Sequence, residues 1–241
     1  MFEETLEYVF QGKHFKHTLF YEKKGGKIPI VLVLPTWVGL DPFAFEKGKE
    51  IASLGYLACV VDLFGKGALA KDAEEAKKQI TPLLENRLII REQLKKVMKE
   101  VAQHETADRQ KIAAIGYCFG GSCVLELAKS GQDLRGVVSI HGVLGNPHKI
   151  SMQPVPTADH IPASILVLHG YKDALSSQQD LLNFEKEMDD KKADWQMVLY
   201  GTAMHGFTNP KAHMPQNSLQ YDEKTAKRAF LAMKEFLFEV L

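Results

Sequence analysis

Apolar residues along this chain follow two patterns, which predict two kinds of secondary structure. Six short runs are continuously apolar, as is typical of parallel strands buried on both faces of a sheet. They span residues 30–34, 57–61, 111–117, 135–140, 164–168 and 195–200. Residues 5–10 and 15–21 are β-rich around Gly12-Lys13 and predict an antiparallel pair ahead of them. Together these segments predict about eight strands.

Five longer stretches carry apolar residues at three- and four-residue spacing, which predicts amphipathic helices. They span residues 43–54, 82–102, 119–129, 178–191 and 218–240, and Thr81-Pro82 suits the start of the second. Alternating strands and helices predict an α/β fold, with a mostly parallel sheet covered by helices on both faces. Ligands bind such sheets beyond the carboxyl ends of the strands. Residues 142–162 lack periodicity and predict a long loop at that edge, either a flap or a lost helix.

The composition limits the class of protein and its partners. The chain has 241 residues, 45% of them hydrophobic, so we expect one large core and a single domain over residues 1–241. The 30 Lys and Arg residues balance the 30 Asp and Glu residues, so no net field attracts nucleic acid or an anionic membrane. The start of the chain is acidic, unlike a secretion signal, and no apolar run approaches a membrane span. We expect a cytoplasmic monomer or homodimer.

The cysteines argue against two kinds of site. Cys59, Cys118 and Cys123 form no C-x-x-C pair, so we expect neither a disulfide framework nor a zinc site. Cys59 lies within an apolar strand and is expected to be core filler. A redox pair of Cys118 and Cys123 is disfavoured because they lie five positions apart, one at a turn and one on a helix, where they should point in different directions.

Residues 112–122 form the most informative segment. An apolar strand ends in Gly116-Tyr117-Cys118-Phe119-Gly120-Gly121, and an apolar helix follows. A nucleophile elbow needs small residues two before and two after the reactive side chain, because the turn is strained and tight. Cys118 is therefore a candidate nucleophile at a helix N-terminus, whose partial positive charge favours thiolate. The alternative is a small buried cysteine in an ordinary strand-to-helix turn.

A thiol nucleophile needs a base, and the base needs a group that fixes its tautomer. His205 follows the last predicted strand and is the candidate base, with His213 as the next choice. Asp173 lies in a strand-end loop between Cys118 and His205 in chain order and is the candidate acid. Its alternative role is a helix N-cap.

The other polar candidates are expected to be structural. His141 and His169 end strands and are expected to serve packing or backbone hydrogen bonding, although they could line a pocket. Asp62 is expected to hold its own loop together. The remaining histidines lie in surface-like contexts; they are His14, His17, His104, His148 and His160.

An oxyanion hole requires two backbone donors, one from the residue after the nucleophile and one from the loop after the third strand. Phe119 supplies the first. The loop 34–40 supplies the second, and the N–H of Trp37 is our candidate. Phe207, together with these two aromatic residues, could surround the reacting carbonyl, or it could simply pack.

With these motifs in place, the chain resembles the dienelactone hydrolase family of α/β-hydrolases over nearly its whole length. Four segments carry the resemblance. They are Gly55-Tyr56 with residues 61–65, residues 115–121 around Cys118, Leu168-His169-Gly170 with Asp173, and His205-Gly206-Phe207. It implies hydrolysis of an ester or lactone through an acyl-thioester on Cys118, with His205 as base and Asp173 as its orienter. It implies no metal and no organic cofactor.

Two positions depart from the family's pattern for opening dienelactones. Members with that activity carry a glutamate where this chain has Thr36, and a substrate-binding arginine where it has Asn209. Arg87 or Arg91 could stand for a second family arginine, or both could be solvent-facing ion-pair partners. We therefore expect a hydrolase of small esters, lactones or thioesters that prefers neutral or weakly charged substrates, with Thr36, Phe207 and Asn209 in the substrate pocket. The alternative is a non-catalytic or regulatory protein that binds small molecules on the same fold.

Overall fold

A computed structural model describes residues 1–22 and 25–241 and contains one large sheet. Eight strands lie in the order β1-β2-β4-β3-β5-β6-β7-β8, so the predicted strand number is confirmed. Their bounds are β1 Phe2–Phe10, β2 Lys13–Tyr21, β3 Ile28–Leu34, β4 Leu57–Val60, β5 Ala107–Tyr117, β6 Gly136–Ile140, β7 Ser164–Gly170 and β8 Trp195–Tyr200. β1 and β2 pair antiparallel, β2 joins β4 antiparallel, and the pairs from β4 to β8 are parallel.

Helices cover both faces of the sheet, as predicted. They are α1 Pro42–Ser53, α2 Ala73–Glu85, α3 Arg87–Val101, α4 Phe119–Lys129, α5 Gln178–Asp190 and α6 Glu223–Val240. Alternate residues of β3 belong to different cores: Leu32 packs with α3, α4 and α5, whereas Val33 packs with α1 and α6. This alternation follows from the two-residue period of a strand.

The predicted helix over residues 82–102 is wrong at its start. α2 begins at Ala73, with Asp72 as its N-cap, and Pro82 lies inside it near its end. Proline removes an intrahelical donor, and the chain leaves helical geometry at Asn86, whose side chain accepts from the N–H of Leu88 to begin α3. The last helix also begins later than predicted, because His213–Met214 and Leu219–Gln220 form a two-stranded ribbon, β9 and β10.

The loops after β3, β5, β6, β7 and β8 leave the sheet at one edge, which is the edge predicted for the site. Residues 142–162 contain neither helix nor strand and are held in place by other elements. The guanidinium of Arg91 donates to the carbonyl of Pro156 at 2.8 Å, and the N–H of Gln153 donates to the carbonyl of Glu85 at 2.9 Å. The loop is therefore anchored to α2 and α3.

The loop after β4 shows one confirmed prediction and one error. Asp62 holds its loop together, because its carboxylate accepts from the N–H groups of Phe64, Gly65 and Gly67. His17, predicted to lie at the surface, is fully buried. Its Nδ1 accepts from the N–H of Asp62 at 3.1 Å. Cys59 is buried in β4, as expected.

None of the helices in the part of the chain described, residues 1–22 and 25–241, combines the length and the apolar character needed to cross a bilayer.

Candidate active site

Cys118 occupies the tight turn between β5 and α4. Its backbone has φ 55° and ψ −119°, a conformation that residues with a side chain rarely adopt. A Cβ at Gly116 would collide with the main-chain oxygen of Gly120, and a Cβ at Gly120 would collide with that of Pro35. Only glycine fits at both positions, so the predicted elbow geometry is present around Cys118.

The three candidate catalytic residues come from three different loops, and the structure brings them together. The Nδ1 atom of His205 lies 2.7 Å from Oδ2 of Asp173, and both side chains are buried. The other oxygen of Asp173 accepts from the N–H of Leu175 at 2.9 Å. Asp173 does not cap α5, because Ser177 takes that role. Its carboxylate is therefore available to orient the imidazole.

Backbone pairing fixes the loop that carries His205. The N–H of His205 donates to the carbonyl of Ser218 at 2.8 Å, and its own carbonyl accepts from the N–H of Gln220 at 3.1 Å. Ser218 immediately precedes β10 and Gln220 lies in it, so a segment that was predicted to be helical instead supports the candidate base. His213 lies in the ribbon itself and is exposed.

The charges around His205 favour its protonated form. Burial lowers its pKa, but the neighbouring Cys118 sulfur and the hydrogen bond to Asp173 outweigh that cost and raise the pKa to about 10. Because Nδ1 is bonded to Asp173, Nε2 is the nitrogen left for the sulfur. It is buried and, among the described residues, has no hydrogen-bond partner of good geometry.

His141 lies directly behind the elbow and contacts two parts of the site. Its Nδ1 accepts from the N–H of Cys118 at 3.1 Å, and its Nε2 lies 2.8 Å from Oγ1 of Thr208. Burial, with the nearby charge of His205, holds the pKa of His141 well below its usual value. The ring is therefore neutral, and Nε2–H donates to Thr208. A backbone hydrogen bond was one of the roles expected for His141, whereas no sequence motif pointed to its contact with Thr208.

The residues that carry the candidate oxyanion donors line the cavity that holds the sulfur. Phe119 is the first residue of α4, where N–H groups have no intrahelical acceptor. Trp37 lies in the loop after β3, and its ring stacks on His148 with centroids 6.4 Å apart. Both residues line the same cavity as Cys118.

The cavity has a volume of about 910 Å³ and contains most of the predicted pocket residues. Thr36 and Asn209 line it, as do Cys118 and His205. Phe207 is placed differently from its prediction. It is fully buried, packs against the rings of Tyr200 and His141, and does not line the cavity. The motif alone could not show this, because the direction of the Phe207 side chain depends on the turn at the preceding residue, Gly206, which has φ 66°.

Arg87 and Arg91 are ion-pair partners rather than free arginines. Nη1 of Arg87 lies 2.7 Å from one oxygen of Glu126, and Nη2 of Arg91 lies 2.8 Å from the other. Arg91 and Glu126 are buried, so the expectation of solvent-facing pairs is wrong for Arg91. Within residues 1–22 and 25–241, no group of three or more His, Cys, Asp or Glu side chains is arranged to hold a metal ion.

Known proteins resemble this chain in sequence and in structure. Residues 16–241 match the family model described as "Dienelactone hydrolase family". A Bradyrhizobium protein named "Probable 2-oxo-3-(5-oxofuran-2-ylidene)propanoate lactonase" is 24% identical over 76% of this chain and 74% of its own length.

Two solved structures superpose closely. The structure titled "m3DLH" is 32% identical with a TM-score of 0.91, and the dienelactone hydrolase-like promiscuous phosphotriesterase P91 from metagenomic libraries is 29% identical with a TM-score of 0.90. Each alignment covers 99% of this chain and 98% of the other. The chain therefore belongs to the dienelactone hydrolase family.

Proposed function

We propose that this protein hydrolyses neutral carboxylic esters, lactones or thioesters through an acyl-thioester on Cys118. The observation that carries the proposal is the arrangement of His205, whose Nδ1 is tied to buried Asp173 while its buried Nε2 remains beside the sulfur. An imidazole whose pKa is raised to about 10 can hold the proton that the cysteine gives up, which supports Cys118 as the nucleophile.

The reaction has two stages. The Cys118 thiolate attacks the carbonyl carbon, a carbon–sulfur bond forms, and the carbonyl oxygen becomes an oxyanion. Collapse breaks the bond to the leaving group, which takes the proton from His205. Neutral His205 then accepts a proton from water, and the hydroxide attacks the thioester. The thiolate leaves, the acid is released, and the ion pair is restored.

The N–H groups of Phe119 and Trp37 would stabilise the oxyanion in both stages. Backbone donors are held by the fold and need no reorganisation as charge develops, which makes this contribution large in a site that excludes water. The rigid turn around Cys118 places the sulfur next to the first of these donors. This supports a preformed site rather than one assembled by substrate.

The neutral residues at two pocket positions favour uncharged substrates. Thr36 and Asn209 line the cavity and carry no charge, while the nearest arginine of the cavity wall, Arg87, is already paired with Glu126. A substrate carboxylate placed against Thr36 and Asn209 would lose its hydration without gaining an ion pair from them. We therefore expect neutral esters to be preferred over dienelactone carboxylates.

The test compares wild type with Cys118→Ala on p-nitrophenyl acetate and butyrate. Activity should fall at least about 1,000-fold in the variant. Cys123→Ala, which removes the other α4 thiol, is the control and should keep activity if folded. A slow substrate should add the mass of one acyl group to the Cys118 peptide. Turnover by Cys118→Ala at the wild-type rate would end the proposal.

A second reading, motivated by the neutral Thr36 and Asn209, is a binding protein that retains the fold without efficient chemistry. Thiol reactivity separates the two. In a poised enzyme, Cys118 should react rapidly with iodoacetamide near pH 7, and His205→Gln should slow it at least tenfold. A wild-type rate that rises only near pH 8.5, like that of a free thiol, would favour the binding protein.

A further inference from the structure

The cavity continues well beyond the reacting groups, along the outer face of α4. Ser122, Leu125 and Lys129 line it at successive turns of that helix. The distance from Phe119 to Lys129 is ten residues, or about 15 Å along the helix axis. We call this part of the cavity the α4 groove.

The walls of the α4 groove are apolar over most of its length. Its apolar lining comes from Ile80 and Leu84 of α2, Leu125 of α4, Phe184 of α5, and Leu144 and Met152 of the loop 142–162. Ile80, Leu125 and Phe184 are buried, so their positions are set by core packing. Binding of apolar groups to such a surface is favourable, because it removes apolar area from water. Binding of an unpaired charged group there is unfavourable, because the charge loses its hydration.

Two cations line the far end of the groove, Arg87 and Lys129, and each has a carboxylate partner; Asp41, Asp180 and Lys211 also line the cavity. Arg87 pairs with Glu126 at 2.7 Å, and Lys129 pairs with Glu187 at 2.6 Å. Arg91 pairs with the same carboxylate of Glu126, so all three cations are paired although they share only two carboxylates. The far end therefore offers no free cation to a carboxylate on the substrate.

The proposed chemistry assigns the two parts of the cavity to two parts of a substrate. The leaving group must lie next to His205 to receive its proton, and the residues that follow His205 form that side of the cavity, from Asn209 to Leu219. The acyl group lies on the other side of Cys118, where the α4 groove begins. The groove is therefore the space for the acyl chain.

We propose that the α4 groove binds a linear apolar acyl chain, so that the substrates are esters or thioesters of medium-chain fatty acids. This inference rests on the proposed function, since it uses the position of the leaving group. An extended chain advances about 3.5 Å for every three bonds, so a groove of about 15 Å accommodates about a dozen carbons.

The first test is a series of p-nitrophenyl esters from C2 to C16. kcat/KM should rise with chain length, by up to about fourfold for each methylene, and stop rising near C12. Leu84→Trp should shorten the optimum by several carbons, because it lowers the rates of the long-chain esters far more than that of the acetate. Met152→Trp narrows the groove from the loop 142–162 and replaces Leu84→Trp in the test if that variant does not fold. Leu88→Trp, at an exposed leucine outside the cavity, is the matched control.

A second test needs no hydrolysis and separates failure of the groove from failure of the proposed function. N-alkylmaleimides of C1 to C12 add the thiol across their double bond, and Cys59 and Cys123 are buried, so labelling reports Cys118. The labelling rate should rise with alkyl length in wild type and in Leu88→Trp, but not in Leu84→Trp. A labelling rate that rises with alkyl length, in a protein that hydrolyses no ester, would support the groove and refute the proposed hydrolase activity.

Two results would overturn the groove. The first is hydrolysis and labelling that are both independent of chain length. The second is faster turnover of an ester whose acyl chain ends in a carboxylate than of the neutral ester of equal length, which would mean that the far end binds an anion. Either result leaves the hydrolase itself in place.

Discussion

Replacing Cys118 by glycine should stabilise the protein relative to replacing it by alanine, although both changes remove the sulfur. Alanine keeps the Cβ in a backbone conformation of φ 55° and ψ −119°, whereas glycine adopts it freely. Relief of such strain amounts to about 1–3 kcal/mol. The greater freedom of glycine in the unfolded chain costs about 0.5–1 kcal/mol. The net expectation is that Cys118→Gly is about 1 kcal/mol more stable.

Equilibrium unfolding in urea measures this difference, and thermal unfolding should show a Tm higher by about 2–4 °C for a chain of this size. Ala232→Gly in α6 provides the reference, since glycine inside an ordinary helix should cost about 1 kcal/mol. The two exchanges of alanine for glycine should therefore have opposite signs. If Cys118→Gly were less stable than Cys118→Ala by as much as the helix control, the elbow would not be strained.

Four other changes test separate parts of the structure. Glu126→Gln removes the carboxylate shared by two arginines and should destabilise the fold by about 3 kcal/mol in urea. Burial lowers the pKa of His17 to about 4 in the folded protein. On acidification, His17 is therefore protonated at a higher pH in the unfolded chain than in the folded one. Stability should then fall by up to about 3 kcal/mol between pH 6.5 and 4 in wild type, and less in His17→Gln. Gly120→Ala should leave no folded protein by circular dichroism, because its Cβ would meet main-chain oxygens. His141→Leu removes one of the two acceptors of the Cys118 N–H, the other being the carbonyl of Ile140, and should lower kcat about tenfold with KM nearly unchanged; an equal loss in kcat and rise in KM would contradict a positioning role.

Local sequence determined the sheet and the elements that carry the site. Continuous apolar runs are sufficient to identify buried parallel strands, since every side chain in them must avoid water. The elbow is local as well, because the need for glycine at positions 116 and 120 arises from atoms within a few residues or from the adjacent strand end. Chain order then places Asp173 and His205 in loops at the same edge, since parallel strands all end there.

Only the tertiary structure decided what those loops do in detail. The break between α2 and α3 depends on Asn86 leaving helical geometry, which apolar spacing does not register. The burial of His17 and Phe207 depends on packing between segments far apart in sequence. The α4 groove has walls from four helices and a loop, so no single stretch of sequence contains it. Local patterns reflect the immediate neighbours of a residue, whereas cavities and charge pairs depend on which distant surfaces the fold brings into contact.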